Sequence, residues 1–336
     1  MQAPGSARGN YNYYTLRDVP GKDRGAFALN SLKAGTKILV DKPLMVFNTA
    51  LSHISPIDTT QKYHRMSPQD RAEFDRAPGI LPGGHQGIVA THDMKFHLNR
   101  FTINDGKSGC FVHASRFNHS CVPNCSMTPT SNDSIQCILI KDVPAGEELT
   151  FAYNENFLYL TSVQRAQYLK NLRFTFRDCL CAICTQPERD RADSDRRRAL
   201  MREDYYKWSE MDIVREDGFP MPEAKLEAAL GYDYCFQNKV TEHARAFVEL
   251  AEQEGILSSL FLELACLFLA EAQNHGPKAG RDFQEIKKWT ERTIELRRNR
   301  IGEEGQVMVR RRSTIDSTTS KATSETGSWL SLVLEL

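Results

Sequence analysis

Three cysteines within six residues form the pattern in this sequence with the clearest chemistry. Cys179, Cys181 and Cys184 make a CxCxxC motif. In a reducing compartment, thiols at this spacing indicate a metal rather than disulfides, and structural zinc takes four tetrahedral ligands. The motif therefore predicts a zinc site whose fourth ligand comes from elsewhere in the chain. A group of buried free thiols is the competing interpretation.

A second polar segment, ASRFNHSCVPNC, spans residues 114–125. It offers the carboxamides of Asn118 and Asn124, the imidazole of His119 and the thiol of Cys121. So many small polar groups beside a proline predict a tight, internally hydrogen-bonded backbone. On this chemistry alone, a buried polar turn or an Asn-rich loop without a ligand is the favoured interpretation.

A third segment, PAGEELTFAY at residues 144–153, is typical of a turn that leads into a strand. The strand would end at Tyr153. A tyrosine at a strand end usually packs against neighbours, and it acts in catalysis only where its hydroxyl faces a pocket.

In this order, the three segments closely resemble the SET-domain protein lysine methyltransferases that carry a cysteine-rich post-SET segment. Within that family the chain looks most like the SET and MYND branch and related fungal SET proteins. The whole resemblance covers roughly residues 14–184, with a weak match over 48–94. Four segments upstream of the NHSC motif also resemble the family: GKDRGAFA (21–28), LKAGT (32–36), DKPL (41–44) and NRFTI (99–103).

The resemblance implies a role for each matching position. Cys121 would complete an all-thiolate zinc site with the three cysteines of the CxCxxC motif. Phe176 would stack on the adenine of S-adenosylmethionine, although the family's aromatic commonly lies where this chain has Arg177. The full set of implied cofactor contacts is Lys22, Asp23, Arg24, Asn99, Asn118, His119, Tyr153 and Phe176.

The implied activity is S-adenosylmethionine-dependent protein lysine N-methylation, with Tyr153 as the catalytic residue. The substrate amine must be neutral, because an ammonium has no lone pair, and an apolar channel beside a sulfonium charge favours that form. The implied partner is a lysine of a histone tail or of a non-histone protein. The alternative is a catalytically weak or inactive SET-domain binding or scaffold protein, which the altered aromatic register favours.

Short apolar runs in the first half predict strands at residues 37–40, 43–47, 134–140 and 148–153. Ser67 followed by Pro68 predicts the start of a short helix. The pattern becomes helical after residue 185, with predicted helices at 222–230, 240–252, 256–273 and 283–298. The fold class is α+β, a β-rich SET fold of short sheets with a post-SET zinc site, followed by an all-α region.

The predicted layout has five parts. Residues 1–13 are an extension, 14–158 the SET domain with 48–94 as an insertion, and 159–185 the post-SET segment. Residues 186–309 form a helical domain, and 310–336 a disordered tail, since ten of the sixteen residues from 313 to 328 are Ser or Thr. The insertion contains no cysteine, so no MYND zinc module is expected there.

Composition narrows the function classes further. The 336 residues carry 43 Lys plus Arg and 43 Asp plus Glu, whereas nucleic-acid binders usually have a basic excess. Direct nucleic-acid binding, including a zinc-dependent chromatin binder, is therefore disfavoured. No signal peptide or membrane span is recognisable, so we expect an intracellular monomer in nucleus or cytoplasm. The remaining cysteines are interpreted as packing thiols: Cys110, Cys125, Cys137, Cys235 and Cys266.

Overall fold

The computed structural model describes residues 12–49, 53–77, 79, 90–103, 107–171, 179–210, 234–257, 259–275 and 284–299. The chain divides into two compact units. The first takes residues up to 153 and again 162–186, and the second takes 154–161 and the chain from 187 onward. Among the described residues, no helix is long and apolar enough to cross a membrane.

Among the described residues of the first unit there are ten short strands. They are β1 (Tyr14–Val19), β2 (Asp23–Ala28), β3 (Lys37–Asp41), β4 (Met45–Phe47), β5 (Arg100–Thr102), β6 (Ser108–Cys110), β7 (Asn118–His119), β8 (Cys125–Pro129), β9 (Ile135–Leu139) and β10 (Glu148–Phe151).

These strands make three small sheets, with orders β1-β2-β10-β7, β3-β9-β8 and β4-β6-β5. All pairings are antiparallel except that of β7 with β10, which is parallel. A parallel pair requires a long crossover, and here the crossover contains β8 and β9. The last strand therefore returns to lie between β2 and the two-residue strand β7.

The helices are α1 (Pro56–His64), α2 (Pro68–Asp75), α3 (His92–Leu98), α4 (Ser162–Asn171), α5 (Ala182–Thr185), α6 (Glu188–Glu210), α7 (Tyr234–Gln253), α8 (Leu260–His275) and α9 (284–299). Short 3-10 turns occur at Ala114–Arg116 and Glu155–Leu158. Ser55 and Ser67 each cap a helix with the side-chain oxygen, and a proline opens the first turn of both.

Two apolar clusters hold the first unit. The larger packs residues of β1, β2, β3, β9 and β10 around Phe117, whose ring lies 5.1 Å from that of Tyr14. The smaller joins β4 and β6 to the inserted helices through Phe47, Phe74 and Phe96. Burying one such aromatic contributes about 1.5–3 kcal/mol, so both the sheets and the insertion are anchored.

The predicted fold class is confirmed: short sheets come first and a helical region follows. The predicted strands and the Ser67 helix start match the structure within about two residues. Residues 189–202 mix Asp with Arg, a pattern typical of a solvated linker or an exposed helix face. They lie in α6, but Arg198 is fully buried there. The predicted helix at 222–230 and the predicted disordered tail lie outside the described residues.

Candidate functional site

The parallel pairing of β7 with β10 brings the two polar segments together. Thr150 pairs with Asn118 and Phe151 pairs with His119. The Ser120 N–H then donates to the Phe151 carbonyl at 3.1 Å, which continues the pairing past the end of β7. The strand that ends before Tyr153 therefore runs alongside the NHSC residues.

The Asn124 side chain holds the NHSC segment against β10. Its Nδ2 donates to Glu147 Oε1 at 3.0 Å and to the Glu148 carbonyl at 2.8 Å. Its Oδ1 accepts the Thr150 N–H at 2.8 Å. A buried carboxamide satisfied on both ends is costly to remove. The polar turn predicted for this segment is therefore present, and it ties β10 to the NHSC loop.

Tyr153 lies immediately beyond β10. Its hydroxyl donates to the Phe117 carbonyl at 3.3 Å, and its N–H donates to His119 Nδ1 at 3.2 Å. The residue is 38% exposed, but the phenol is enclosed closely enough that desolvation raises its pKa, with the Glu148 carboxylate adding to the effect. The hydroxyl is therefore protonated at neutral pH.

His119 links Tyr153 to the first cysteine. Burial lowers the pKa of His119 to about 4, and the positive charges of Arg165 and Lys22 act in the same direction. The ring is neutral at neutral pH, and because Nδ1 accepts from Tyr153, the proton belongs on Nε2. That nitrogen lies 3.2 Å from Cys121 Sγ. An N–H donated to sulfur favours the thiolate form, which is the form that binds metals.

Lys22 and Glu148 form a half-buried ion pair beside Asn118. Lys22 Nζ lies 3.1 Å from Glu148 Oε2, and Asn118 Nδ2 donates to Glu148 Oε1 at 2.7 Å and to the Arg24 carbonyl at 3.2 Å. A Cβ at Gly25 would lie 2.6 Å from that Glu148 oxygen. Only glycine leaves room for this carboxylate. The sequence assigned no role to Glu148. Because Lys22 is distant from it along the chain, their ion pair could not be predicted.

The other predicted cofactor contacts are dispersed. The Arg24 side chain is half exposed and reaches Asp18 at 3.2 Å. Asn99 is fully buried at the end of α3, where its Nδ2 donates to the Lys95 carbonyl at 2.7 Å. Asp23 opens β2, and nothing is described of its side chain. Phe176 lies outside the described residues.

Four thiols meet at one point: Cys121, Cys179, Cys181 and Cys184. Their sulfur atoms all lie within 4.8 Å of one another, and none of the four is in a disulfide. Cys121 Sγ lies 3.9 Å from Cys179 Sγ and 3.8 Å from Cys184 Sγ. Hydrogen bonds from Cys121, Cys179 and Cys184 hold the pKa of Cys181 well below its usual range, whereas the same mutual hydrogen bonds raise the pKa of Cys121. The group can therefore supply thiolate ligands.

The cysteine segment also contacts the turn between β1 and β2. Gly21 has a φ of +78°, and a Cβ there would lie 2.7 Å from Cδ1 of Leu180. Positive φ and close approach both require glycine at this position. The turn that carries Lys22 is thus covered by the residue between the first two cysteines of the CxCxxC motif.

Comparison with known proteins agrees with this geometry. Residues 23–154 match the family model described as the SET domain. The chain contains a SET domain. The match begins at β2 and ends one residue after Tyr153, so it contains both segments that the parallel strands join.

Relatives of this SET-domain chain include proteins described as histone-lysine methyltransferases. Set5 of Schizosaccharomyces pombe is 28% identical over 55% of this chain and 54% of its own length. SMYD3 of Homo sapiens is 31% identical over 29% of this chain and 22% of its own length. A SET and MYND domain-containing protein of Dictyostelium discoideum is 36% identical over 24% of this chain and 15% of its own length. The chain therefore spans about half of the first relative and less of the others.

Proposed function

We propose that this SET-domain chain is an S-adenosylmethionine-dependent protein lysine N-methyltransferase. The observation that carries the proposal is the parallel pairing of β7 with β10, which joins His119 to Tyr153 through a hydrogen bond of 3.2 Å. Two motifs that the family resemblance assigns to one active site are thus in contact. Two of the relatives are described as histone-lysine N-methyltransferases, which supports the same reaction class.

Structural zinc fits the four-cysteine group. In a tetrahedral site with zinc–sulfur bonds of about 2.3 Å, neighbouring sulfurs lie about 3.8 Å apart. The two sulfur–sulfur distances from Cys121, 3.9 and 3.8 Å, match this edge length. Cys121, Cys179, Cys181 and Cys184 would hold the ion, and His119 would support Cys121 from behind. The ion would supply folding energy rather than chemistry.

The amino-acid end of the cofactor fits the group around Lys22. A zwitterion needs a cation for its carboxylate and acceptors for its ammonium, and Lys22 with Glu148 supplies both charges. Asn118 and His119 add neutral polar atoms on the adjoining strand. We assign Lys22, Asn118 and His119 to this end, while Asp23, Arg24 and Asn99 keep only the general cofactor contact that the family resemblance implies. Phe176 keeps its assignment to the adenine.

Bound S-adenosylmethionine would supply an electrophilic methyl group on its sulfonium. The chain's part is to hold a neutral lysine amine in line with that methyl, since alignment of reactants supplies much of such a rate enhancement. The protonated Tyr153 hydroxyl, anchored on the Phe117 carbonyl, is placed to orient the amine through its oxygen. Removing water from the amine adds to the effect.

The substrate in this proposal is a lysine of a histone tail or of a non-histone protein, and the location is nucleus or cytoplasm. The substrate class rests on the relatives and on the apolar channel of the implied reaction, and the location rests on the relatives alone. We infer a chain that acts as a monomer without direct nucleic-acid or membrane binding, in keeping with its balanced charge.

The test is transfer of label from S-adenosylmethionine to proteins of a cell extract, followed by mapping of the labelled sites. We expect wild type to label lysines and Tyr153→Phe to label them roughly 100-fold more slowly, because the amine loses its orienting oxygen. Tyr13→Phe is the matched control, since this half-buried tyrosine directly precedes β1, which lies at the opposite edge of its sheet from β7. Cofactor binding is measured in parallel by calorimetry.

Two results would contradict the proposal. One is wild-type protein that binds no S-adenosylmethionine and transfers no more label than Tyr153→Phe. The other is labelling confined to residues other than lysine.

A further inference from the structure

The insertion contacts the turn before the NHSC strand through buried polar groups that the site above does not use. Asp41, at the end of β3, is 1% exposed. Its Oδ2 accepts the N–H groups of His113 at 3.0 Å and Ala114 at 2.9 Å. His113 Nε2 in turn lies 2.8 Å from Glu73 Oε1 on α2. A carboxylate from the sheet and one from the insertion therefore hold the same turn.

A second contact joins the same two segments. Arg116, at the end of the turn, donates from Nη2 to the Arg76 carbonyl at the C-terminal end of α2. The helix itself is firmly held, because Phe74 is fully buried in the smaller apolar cluster. Helix α2 and its C-terminal cap therefore contact the turn Ala114–Arg116 on both sides, at His113 just before the turn and at Arg116 at its end.

The turn leads directly to the atoms of the candidate active site. Phe117 follows it, is fully buried, and accepts the Tyr153 hydroxyl on its carbonyl. Asn118 and His119 come next and form β7. A displacement of the turn would move the Phe117 carbonyl, since the two are separated by a single peptide unit and Phe117 is packed on all sides.

The polar character of the contacts supports a role in positioning rather than simple packing. Burial raises the pKa of Asp41 to about 6, against the opposing effects of its two backbone hydrogen bonds and of His113, with Glu73 acting in the same direction as burial. A buried carboxylate is costly, and an apolar side chain could fill the same space at less cost. The Asp41 carboxylate instead holds the N–H groups of His113 and Ala114, and the Glu73 carboxylate holds the His113 imidazole.

We propose that Glu73, His113 and Asp41 are positioning residues through which the insertion sets the Phe117 carbonyl against Tyr153. The catalytic consequence rests on the proposed methyltransferase function, whereas the ordering of the turn does not. The insertion, which in the SET and MYND branch would hold a zinc module, would here act as a brace on the NHSC strand.

The test uses the full chain and three variants on α2. Glu73→Ala removes the contact to His113, Glu73→Gln keeps a hydrogen-bonding side chain without the charge, and Gln69→Ala changes an exposed residue of the same helix. Hydrogen exchange measured by mass spectrometry on peptides spanning 111–121 should be about tenfold faster in Glu73→Ala. Peptides of β9 should be unchanged, and the other two variants should match wild type within about twofold.

Methyl transfer at saturating substrate gives the second readout. Glu73→Ala should lower kcat about tenfold, while KM stays near wild type and Glu73→Gln restores the rate. Should Glu73→Ala fail to fold, His113→Phe removes the same contact from the buried side of the turn. Unchanged exchange at 111–121 would overturn the proposal whatever the activity, and so would equal kcat in Glu73→Ala and Gln69→Ala. A wild type without transfer would contradict the proposed function alone.

Discussion

Two cysteines four positions apart in the chain lie in different surroundings. Cys121 and Cys125 both lie in the NHSCVPNC segment, and spacing alone did not identify the fourth ligand. The Cys121 sulfur lies among the other three ligand candidates, whereas the Cys125 sulfur faces Asn124 Oδ1 at 3.4 Å inside the apolar core. The choice followed from the family resemblance, and the geometry now gives it a physical basis.

The first prediction concerns this pair. Cys121→Ala should weaken zinc binding more than about 100-fold, because a three-ligand site also loses the support that His119 gives to the missing sulfur. Competition with a chelating dye, together with metal analysis of the purified protein, measures the change. Cys125→Ala is the matched control and should keep about one zinc per chain. Equal zinc content in the two variants would refute the assigned ligand set.

The second prediction concerns Asp41 and pH. Its pKa is raised in the folded chain from 3.8 to about 6, so the folded state binds this proton more tightly than the unfolded state. Its contribution to stability is therefore full below about pH 4 and is lost as the pH rises through 6, a change of about 3 kcal/mol.

Urea unfolding of wild type and Asp41→Asn at pH 4, 5, 6 and 7 measures this change. The stability of wild type relative to the variant should fall across that range, because the variant cannot ionise. Titrations of groups remote from Asp41 cancel in the difference. A difference that is constant with pH would show that Asp41 does not titrate between these values.

At the scale of elements, the sequence best predicts those strands and helix starts that depend on residues close together in the chain. The strands at 37–41 and 135–139 are runs of branched apolar residues between turn signals, and they lie where the pattern placed them. The Ser67 cap followed by proline likewise opens α2. Helices α1 and α3 of the insertion were not predicted, because each is short and carries few apolar residues at helical spacing.

Pairings between distant segments could not be derived from the sequence. Strand β7 has only two residues, and its partner lies 32 positions away. The ion pair of Lys22 with Glu148 and the contact of Glu73 with His113 depend on tertiary placement as well. Family resemblance supplied Lys22, Asn118 and His119 but not Glu148, Glu73 or His113, whereas composition and periodicity alone left the NHSC segment as a polar turn.

Helix α6 contains a buried charged residue whose burial could not be predicted from the sequence. Its mixture of Asp and Arg is typical of an exposed face, and Arg196 is indeed exposed. Arg198, two positions later, is fully buried, with Nε 2.7 Å from Glu254 and Nη1 donating to the carbonyls of Phe157 and Leu158. The partner lies far along the chain, so the sequence of α6 contains no sign of it.

At the scale of whole units, this buried pair leads to the third prediction. Arg198→Ala should lower the free energy of unfolding of the helical unit by about 3–5 kcal/mol, because Glu254 loses the fully buried member of its two arginine partners. Arg196→Ala on the same helix should cost less than about 1 kcal/mol, since its pair with Asp193 is at the surface.

Denaturant unfolding followed by circular dichroism compares the two arginines. Arg197, which also reaches Glu254 from a more exposed position, could soften the effect of Arg198→Ala without removing it. Equal losses in the two variants would mean that Glu254 is neutralised in some other way.

The spacing of the four thiols along the chain has a consequence for synthesis. Cys121 leaves the ribosome 58 residues before Cys179, and β7 is made well before the strand that pairs with it. Until β10 and the last cysteine have emerged, the nascent chain exposes a lone thiol and an unpaired polar strand. Completion of the four-thiol group and closure of the NHSC loop therefore wait until residue 184 has emerged. A ribosome stalled before residue 184 would hold a chain with much of its sheet but no complete metal site.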